Sequence, residues 1–137
     1  MITHRKDIEI RWRDTSASGR IGPGALVTFF EEARDEWLEV LCDSREMVLD
    51  FVVRRIEIES VLPLAYADDR VQVEINLQSF GTTSIVLDER IYAAPNGRLA
   101  ATNTCVVVHV GPDKSAASPL PESVRQALIE HSGEARG

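Results

Sequence analysis

The sequence predicts an α+β fold: one long helix against a five-stranded, largely antiparallel sheet, with a short helix near the C-terminal end. Three observations lead there. Only one long stretch, residues 25–41, spaces its apolar residues as a helix does, while other stretches alternate apolar and polar residues or run apolar throughout, as strands do. The later strand-like stretches follow one another through short turns, which joins neighbours antiparallel. A length of 137 residues with 44% hydrophobic and 27% charged content suits a single compact domain.

The first strand is expected in DIEIRWR, residues 7–13, where Ile8, Ile10 and Trp12 alternate with Asp7, Glu9, Arg11 and Arg13. A Gly and Pro cluster at 19–24 precedes the long helix, ALVTFFEEARDEWLEVL. Its apolar stripe is Leu26, Phe29, Phe30, Ala33, Trp37, Val40 and Leu41, and its outward side Glu32, Asp35, Glu36 and Glu39. A mixed flank holds Val27, Glu31, Arg34 and Leu38. The second strand, FVVRRIEIES, puts Val52, Arg54, Ile56 and Ile58 on one face and Val53, Arg55, Glu57 and Glu59 on the other. Pro63 ends it, YADDR turns the chain, and VQVEINLQSF follows with Val71, Val73, Ile75 and Leu77 inward. GTT links by a hairpin into SIVLDERIYA, and PNG makes the next turn. LAATNTCVVVHV, apolar on both sides from Cys105 to Val110, reads as a strand inside the sheet. After the GPDKSAASPLP loop come a short helix, ESVRQALIEH, and a frayed SGEARG tail. One helix covers only one face of such a sheet, so the other face or an edge needs a partner, and at least a dimer is expected.

Charge and cysteine usage narrow the function classes. The 15 Lys and Arg against 22 Asp and Glu leave a net charge of −7, which offers nucleic-acid phosphates no electrostatic footprint. MITHRKDIEIRW lacks the apolar core of a signal peptide and no apolar run is long enough to span a bilayer, so a cytoplasmic protein free of the membrane is expected. Cys42 and Cys105 lie far apart without C-x-x-C spacing, and His4, His109 and His131 are scattered. Both cysteines therefore read as reduced structural thiols, and no metal site is expected.

Taken together, RWRDTSASGRI, FFEEARDEWL, FVVRRIEIESVLPLAYADD, VQVEINLQSFGTTSIVLDERIY and GRLAATNTCVVVHV resemble the hotdog-fold thioesterases of the 4-hydroxybenzoyl-CoA thioesterase-like branch. The resemblance covers about residues 7–128 of a single domain, 1–137. It implies a helix wrapped by a five-stranded sheet and protomers joined edge to edge, as a dimer or a dimer of dimers. It further implies acyl-CoA bound at the dimer interface as the substrate, with no separate cofactor. In this family the loop before the helix commonly reads D-x-D-x-x-G-H-V-N-N-x-x-Y. Laid on this chain, the loop keeps its first Asp as Asp14 and its Gly as Gly19. The second Asp, the family's nucleophile or base for a water, falls on Ser16 and the His on Arg20. The two Asn fall on Gly22 and Pro23, and the Tyr on Leu26.

Thioester hydrolysis needs a carboxylate or other base near the carbonyl and donors aimed at the developing oxyanion. Backbone N–H groups around Gly22, Gly24 and Leu26, free at the first helical turn, are candidate donors; otherwise Gly22, Pro23 and Gly24 only make the turn and start the helix. The candidate carboxylates are Asp14, whose competing role is an Asx-turn ending the first strand, and Glu31, whose competing role is an i,i+3 ion pair with Arg34. Partial burial on the mixed flank would raise the pKa of Glu31 toward a useful range. Ser16 is a candidate nucleophile or water holder, yet no His accompanies it and no G-x-S-x-G surrounds it, so a plain turn or substrate contact competes. Thr83 and Ser84, with Ser79 and Thr82, match the hairpin where relatives contact the CoA nucleotide, against ordinary turn chemistry. Arg54 and Arg55 are candidates for its phosphates, although Arg54, on the apolar face, could instead satisfy a buried acid. His109 reads as a satisfied core histidine.

The function expected is an acyl-CoA thioesterase-like hydrolase with Ser16 in place of the usual Asp. The alternative is a non-catalytic acyl-CoA or small-ligand binding protein. A dehydratase or hydratase is a third reading, weakened because such hotdog enzymes pair a His with an acid and neither His4 nor His109 stands at the helix start.

Overall fold

The computed structural model describes residues 4–112 and 114–136, with side chains described as far as 131. In chain order the elements are β1 (His4–Glu9), α1 (Pro23–Cys42), α2 (Arg45–Val48), β2 (Phe51–Ser60), β3 (Arg70–Phe80), β4 (Ser84–Ala93), β5 (Arg98–His109) and α3 (Glu122–Arg136). The five strands form one antiparallel sheet in the order β1-β3-β4-β5-β2, so β5 is interior, as its two-sided apolar run requires, and β1 and β2 are edges. α1 packs on β1, β3 and β4, and α3 packs on α1 and β3. Among the described residues no helix is long and apolar enough to cross a membrane.

α1 begins where Gly22 stays extended and Pro23 takes the first helical position, and it ends at Asp43, which adopts the left-handed conformation at φ 50°. Leu26, Phe29, Phe30, Ala33, Trp37 and Leu41 are buried, as their spacing predicts. Val40 is not: it is 67% exposed, while Arg34 and Leu38 are buried instead. The buried sector follows the Phe30, Arg34, Leu38, Cys42 row, one i,i+4 ridge toward the flank, because a carboxylate on the sheet draws Arg34 inward.

Under α1, Val71, Val73 and Ile75 of β3 and Ile85, Leu87 and Ile91 of β4 supply the fully buried floor. Cys42 and Cys105 are free and buried in this core. Burial pushes their thiols up, to about 11 and about 12, so neither offers a thiolate near neutral pH.

Three expectations need correction. β1 is shifted to His4–Glu9, because Arg11 N–H donates to the Asp14 carboxylate and curls Trp12–Asp14 into a 3-10 turn. Trp12, expected inward, is consequently 71% exposed. In β2 a bulge at Arg54 lets Val53 register with Val107 and Arg55 with Val106, adding one residue and reversing the alternation. Val53, Ile56 and Ile58 therefore stand opposite the buried Val107, Cys105 and Asn103, and Val52 shares the outer face with Arg55, Glu57 and Glu59. Finally, α3 continues to Arg136 through most of the expected frayed tail.

Candidate active site

The loop between β1 and α1 is a tight hairpin. Ser16 N–H donates to Arg20 O at 2.7 Å and Gly19 N–H to Ser16 O at 2.9 Å, with Gly19 at φ 81°, which is why a glycine stands there. Ile21 N–H donates to Leu64 O at 2.8 Å, tying the loop to the segment that follows β2. The buried Asp14 carboxylate accepts the Arg11 backbone N–H at 2.8 Å, Arg11 Nε at 3.3 Å and Arg11 Nη2 at 3.4 Å. Hydrogen bonding to Asp14 holds the Arg11 guanidinium above its ordinary pKa.

The start of α1 is less generous with donors than its sequence suggests. Gly22 N–H donates to Asp14 O, Ala25 and Leu26 N–H both donate to Gly22 O, and Pro23 has no N–H. Gly24 is thus left as the one first-turn residue among those described whose N–H has no partner. The Leu26 side chain is buried in the core, not presented to a ligand. Gly24 opens into a cleft of about 540 Å³, whose walls include Arg11, Arg13, Asp14, Ser16 and Gly22. The volume is that of a small-molecule site.

Ser16 lies in this cleft, and among the described residues its hydroxyl has no hydrogen bond to a His, Asp or Glu side chain. Its hydroxyl is 2.8 Å from that of Ser18. His4 is engaged with Glu36 at 2.9 Å, and His109 with Ser118 O at 3.2 Å, so His109 is satisfied as expected but half-buried and not in the core. Among the described residues no group of three or more His, Cys, Asp or Glu side chains is arranged to hold a metal.

Glu31 is elsewhere. Seven residues beyond Gly24, it is roughly 10 Å further along the helix at 1.5 Å per residue. It is exposed, and it borders a smaller cavity of about 70 Å³ between α1 and β2, with Val27, Phe30, Val53, Ile56 and Ile58. Its expected ion pair with Arg34 does not form. Arg34 instead grips Glu89 of β4 through two bonds of 2.8 Å, and Asn103 Nδ2 adds a third at 2.8 Å. Burial opposes the Arg34 charge, but Glu89 outweighs it and holds the guanidinium above its ordinary pKa. Burial, followed by the Glu31 charge one turn away, raises the carboxyl of Asp35.

The hairpin residues sit at the other end of the sheet. Ser84 registers with Val108, which registers with Val52 at the start of β2. The loop of Asp14 and Gly24 belongs to the end where β2 finishes at Ser60 and the chain passes Arg20 at Ala65. Eight residues of strand separate Val52 from Ser60, roughly 26 Å. One chain therefore does not bring Thr83 and Ser84 to the cleft. Thr83 O is taken by His109 N–H at 2.9 Å. Arg54, expected on the apolar face, protrudes from the bulge without an ion pair among the described residues, and Arg55 pairs with Glu57 at 2.7 Å. Among the described residues no buried acid meets Arg54.

A five-stranded antiparallel sheet wrapped on one long helix, with the helix start opening into a cleft, defines a hotdog-fold protein. The model of the thioesterase-like superfamily matches residues 10–128, and the chain belongs to that family. It is 32% identical over 124 residues to the acyl-CoA thioester hydrolase YbgC of Escherichia coli O6:H1, covering 88% of this chain and 91% of that one. Among solved structures, a thioesterase from Thermus thermophilus complexed with coenzyme A and zinc superposes with a TM-score of 0.83 at 25% identity, covering 94% of this chain and 93% of that one. Slr0204 of Synechocystis, a 1,4-dihydroxy-2-naphthoyl-CoA thioesterase, shares the fold with a TM-score of 0.82 at 20% identity, covering 93% and 96% of the two chains.

Proposed function

We propose that this protein hydrolyses acyl-CoA thioesters, with Asp14 as the base and Gly24 N–H as the oxyanion donor. The observation that carries the reading is that Asp14 and the unpartnered Gly24 N–H line the same cleft, whereas Glu31 borders another. Likeness to a relative named as an acyl-CoA thioester hydrolase supports the substrate class.

In this reading the thioester oxygen lies against Gly24 N–H, at the positive end of α1. A water near Asp14 gives its proton to the carboxylate as its oxygen bonds to the carbonyl carbon, and the carbonyl electron pair moves onto the oxygen that Gly24 stabilises. Collapse of the tetrahedral intermediate breaks the C–S bond. The thiolate leaves and takes up the proton, giving free acid and coenzyme A. Arg11 fixes the position of the Asp14 carboxylate through bonds to both of its oxygens.

The assembly we propose is a dimer paired along β2. A two-fold axis near the middle of that strand reverses it, so that the Thr83 and Ser84 end of one protomer stands beside the Asp14 loop of the other. The two sets that one chain keeps apart then face one active site, with Arg54 near the seam.

Thiol release from short, long and aromatic acyl-CoAs tests the reaction. We expect turnover by the wild type, a loss of at least about 10²-fold in kcat for Asp14→Asn, and near-normal turnover for Glu31→Gln. One observation favours a second reading, a protein that binds acyl-CoA without cleaving it: both oxygens of Asp14 are already engaged by Arg11. Absence of release from every substrate by the folded wild type, with hydrolysis appearing in Ser16→Asp, would establish that alternative.

A further inference from the structure

Arg34 is 3% exposed, yet its guanidinium is not fully used. Nε and Nη2 donate to Glu89, while among the described residues Nη1 donates to nothing. A buried N–H without an acceptor costs free energy that a folded chain seldom leaves unrecovered. Arg34 also lines the cavity of about 70 Å³ between α1 and β2, whereas Glu89 does not. With the edge of Nε and Nη2 turned to Glu89, the edge left to the cavity is that of Nη1. Asn103, 1% exposed, completes this polar end, and Phe30, Val53, Ile56 and Ile58 make the walls apolar.

The cavity lies on the stripe of α1 that begins at the cleft. Gly24, Val27, Glu31 and Arg34 recur at three- and four-residue spacing, so they share one face of the helix. Val27, in the turn after Gly24, is 36% exposed, so the core does not close the stripe between the two. β2 runs alongside in the matching sense, since its Ser60 end is at the Asp14 loop and Ile58, Ile56 and Val53 follow away from it. A long side chain on a helix leans toward the N-terminus, which brings the guanidinium back to the level of Glu31, roughly 10 Å from Gly24. At about 1.25 Å per carbon of an extended chain, that is the reach of an acyl group of about eight carbons.

Glu89 decides what kind of group fits. Two-bond pairing already neutralises the guanidinium, so Nη1 offers a strong N–H donor without a spare positive charge. A carboxylate would lose its hydration there without a counter-ion of its own, whereas a neutral hydroxyl or keto oxygen loses less and gains the bond. The volume, about that of two water molecules in the liquid, suits such an end group with the last carbon or two of its chain.

We infer that Arg34 is a specificity-determining residue: through Nη1 it selects acyl groups whose far end carries a neutral hydrogen-bond acceptor over hydrocarbon chains of the same length. This rests on the proposed acyl-CoA function and names the class of acyl group it takes. Arg34 thus holds the fold with one edge of its guanidinium and reads the substrate with the other.

The test separates binding from cleavage. Calorimetry with the full-length Asp14→Asn protein, in which the esters stay intact, compares octanoyl-CoA with 8-hydroxyoctanoyl-CoA, 3-hydroxyoctanoyl-CoA and octanedioyl-CoA. The 8-hydroxyl chain should bind about tenfold or more tightly than the plain one, a bond to a charged donor being worth at least that. The 3-hydroxyl chain, whose oxygen stays near the thioester, and the dicarboxylic chain should bind no tighter than octanoyl-CoA. Arg34→Lys on the same background keeps a charge opposite Glu89 but removes Nη1, so the preference should vanish while octanoyl-CoA still binds. Should circular dichroism show that variant unfolded, Ile58→Phe fills the cavity without touching the ion pair and should cancel the preference as well. In a wild type that hydrolyses thioesters, the same preference should appear in kcat/KM.

Equal affinity for the plain and 8-hydroxyl chains overturns the inference whether or not the protein hydrolyses thioesters. So does an equal gain from the 3-hydroxyl, a gain from the second carboxylate, or a preference that survives the loss of Nη1. A preference that depends on Arg34, in a protein whose wild type cleaves none of the four, upholds it while the hydrolase reading fails.

Discussion

Arg34 and Glu89 have 4% and 0% of their side chains exposed, so neither charge can be solvated by water. An ion pair survives there because all of its polar atoms but Arg34 Nη1 are met: Glu89 also accepts from Asn103, and Asn103 Oδ1 accepts Glu57 N–H at 3.0 Å. Removing one partner strands the other, so Arg34→Leu should cost about 3–5 kcal/mol in urea unfolding. The Arg34→Leu, Glu89→Leu double variant should recover part of that loss, since an apolar pair needs no compensation. A double variant less stable than the single would show that the pair is not coupled. Half of this arrangement was legible: residues 85, 87, 89, 91 and 93 share the inward period of β4, which places Glu89 in the core. Its partner was not, because 55 residues separate the two and local spacing offers Arg34 the nearer Glu31. At the cleft, Gly24 has open space where a Cβ would sit, so Gly24→Ala should leave thiol release near wild type. Gly24→Pro removes the free N–H and should lower kcat by about 10²–10³ if that donor serves the oxyanion.

The edge strand β1 is paired on one side only, with β3, and a side-chain clasp adds to the packing of the buried Ile8 in its hold on α1. Lys6 Nζ donates to Glu36 at 2.6 Å, and His4 meets the same carboxylate at 2.9 Å. The hydrogen bond from Lys6, ahead of the opposing effect of burial, lowers the pKa of the Glu36 carboxyl from 4.5. A carboxyl depressed on folding contributes stability above its unfolded pKa and loses it as pH falls through the folded value. The clasp should therefore hold at neutral pH and release below about pH 4.5, partly masked because Glu36 is 43% exposed and solvent screens it. Amide exchange of β1, corrected for intrinsic rates, is the measurement. Protection in the wild type should fall through that acid range, and Glu36→Gln should be less protected already at neutral pH and change less on acidification. A wild-type profile matching Glu36→Gln at all pH values would rule the clasp out. The alternation that revealed the strands also explains the two misplaced faces. Period two is blind to a bulge, so Arg54 shifts every preceding residue of β2, and it is blind to a side-chain cap, so Asp14 ends the extended run before Trp12 can turn inward.

For the whole molecule, the sheet's two exposed regions differ in kind. The outer face meets its own charges, with Arg5 on Glu74, Gln72 on Asp7 and Arg90 on Asp88, and burying it against a second sheet would gain little. The free edge at β2 instead carries Val52, Val53 and Ile56, all between 41% and 47% exposed, beside unpaired backbone donors and acceptors. An edge of that composition is expected to pair, and antiparallel pairing of two copies satisfies both the backbone groups and the apolar side chains. The bulge matters here, since without it Val53 would face the outer side instead of joining Ile56 above the cavity next to Glu31. Ile56→Lys places a charge at the middle of that seam. It should convert a dimer into a folded monomer in sedimentation, with unchanged circular dichroism and thiol release reduced along with assembly. A variant that stays dimeric, or a wild type that sediments as a monomer at micromolar concentration, would move the seam elsewhere. A monomer with full activity would place every group the reaction needs within one chain, leaving no role for the Thr83 and Ser84 hairpin.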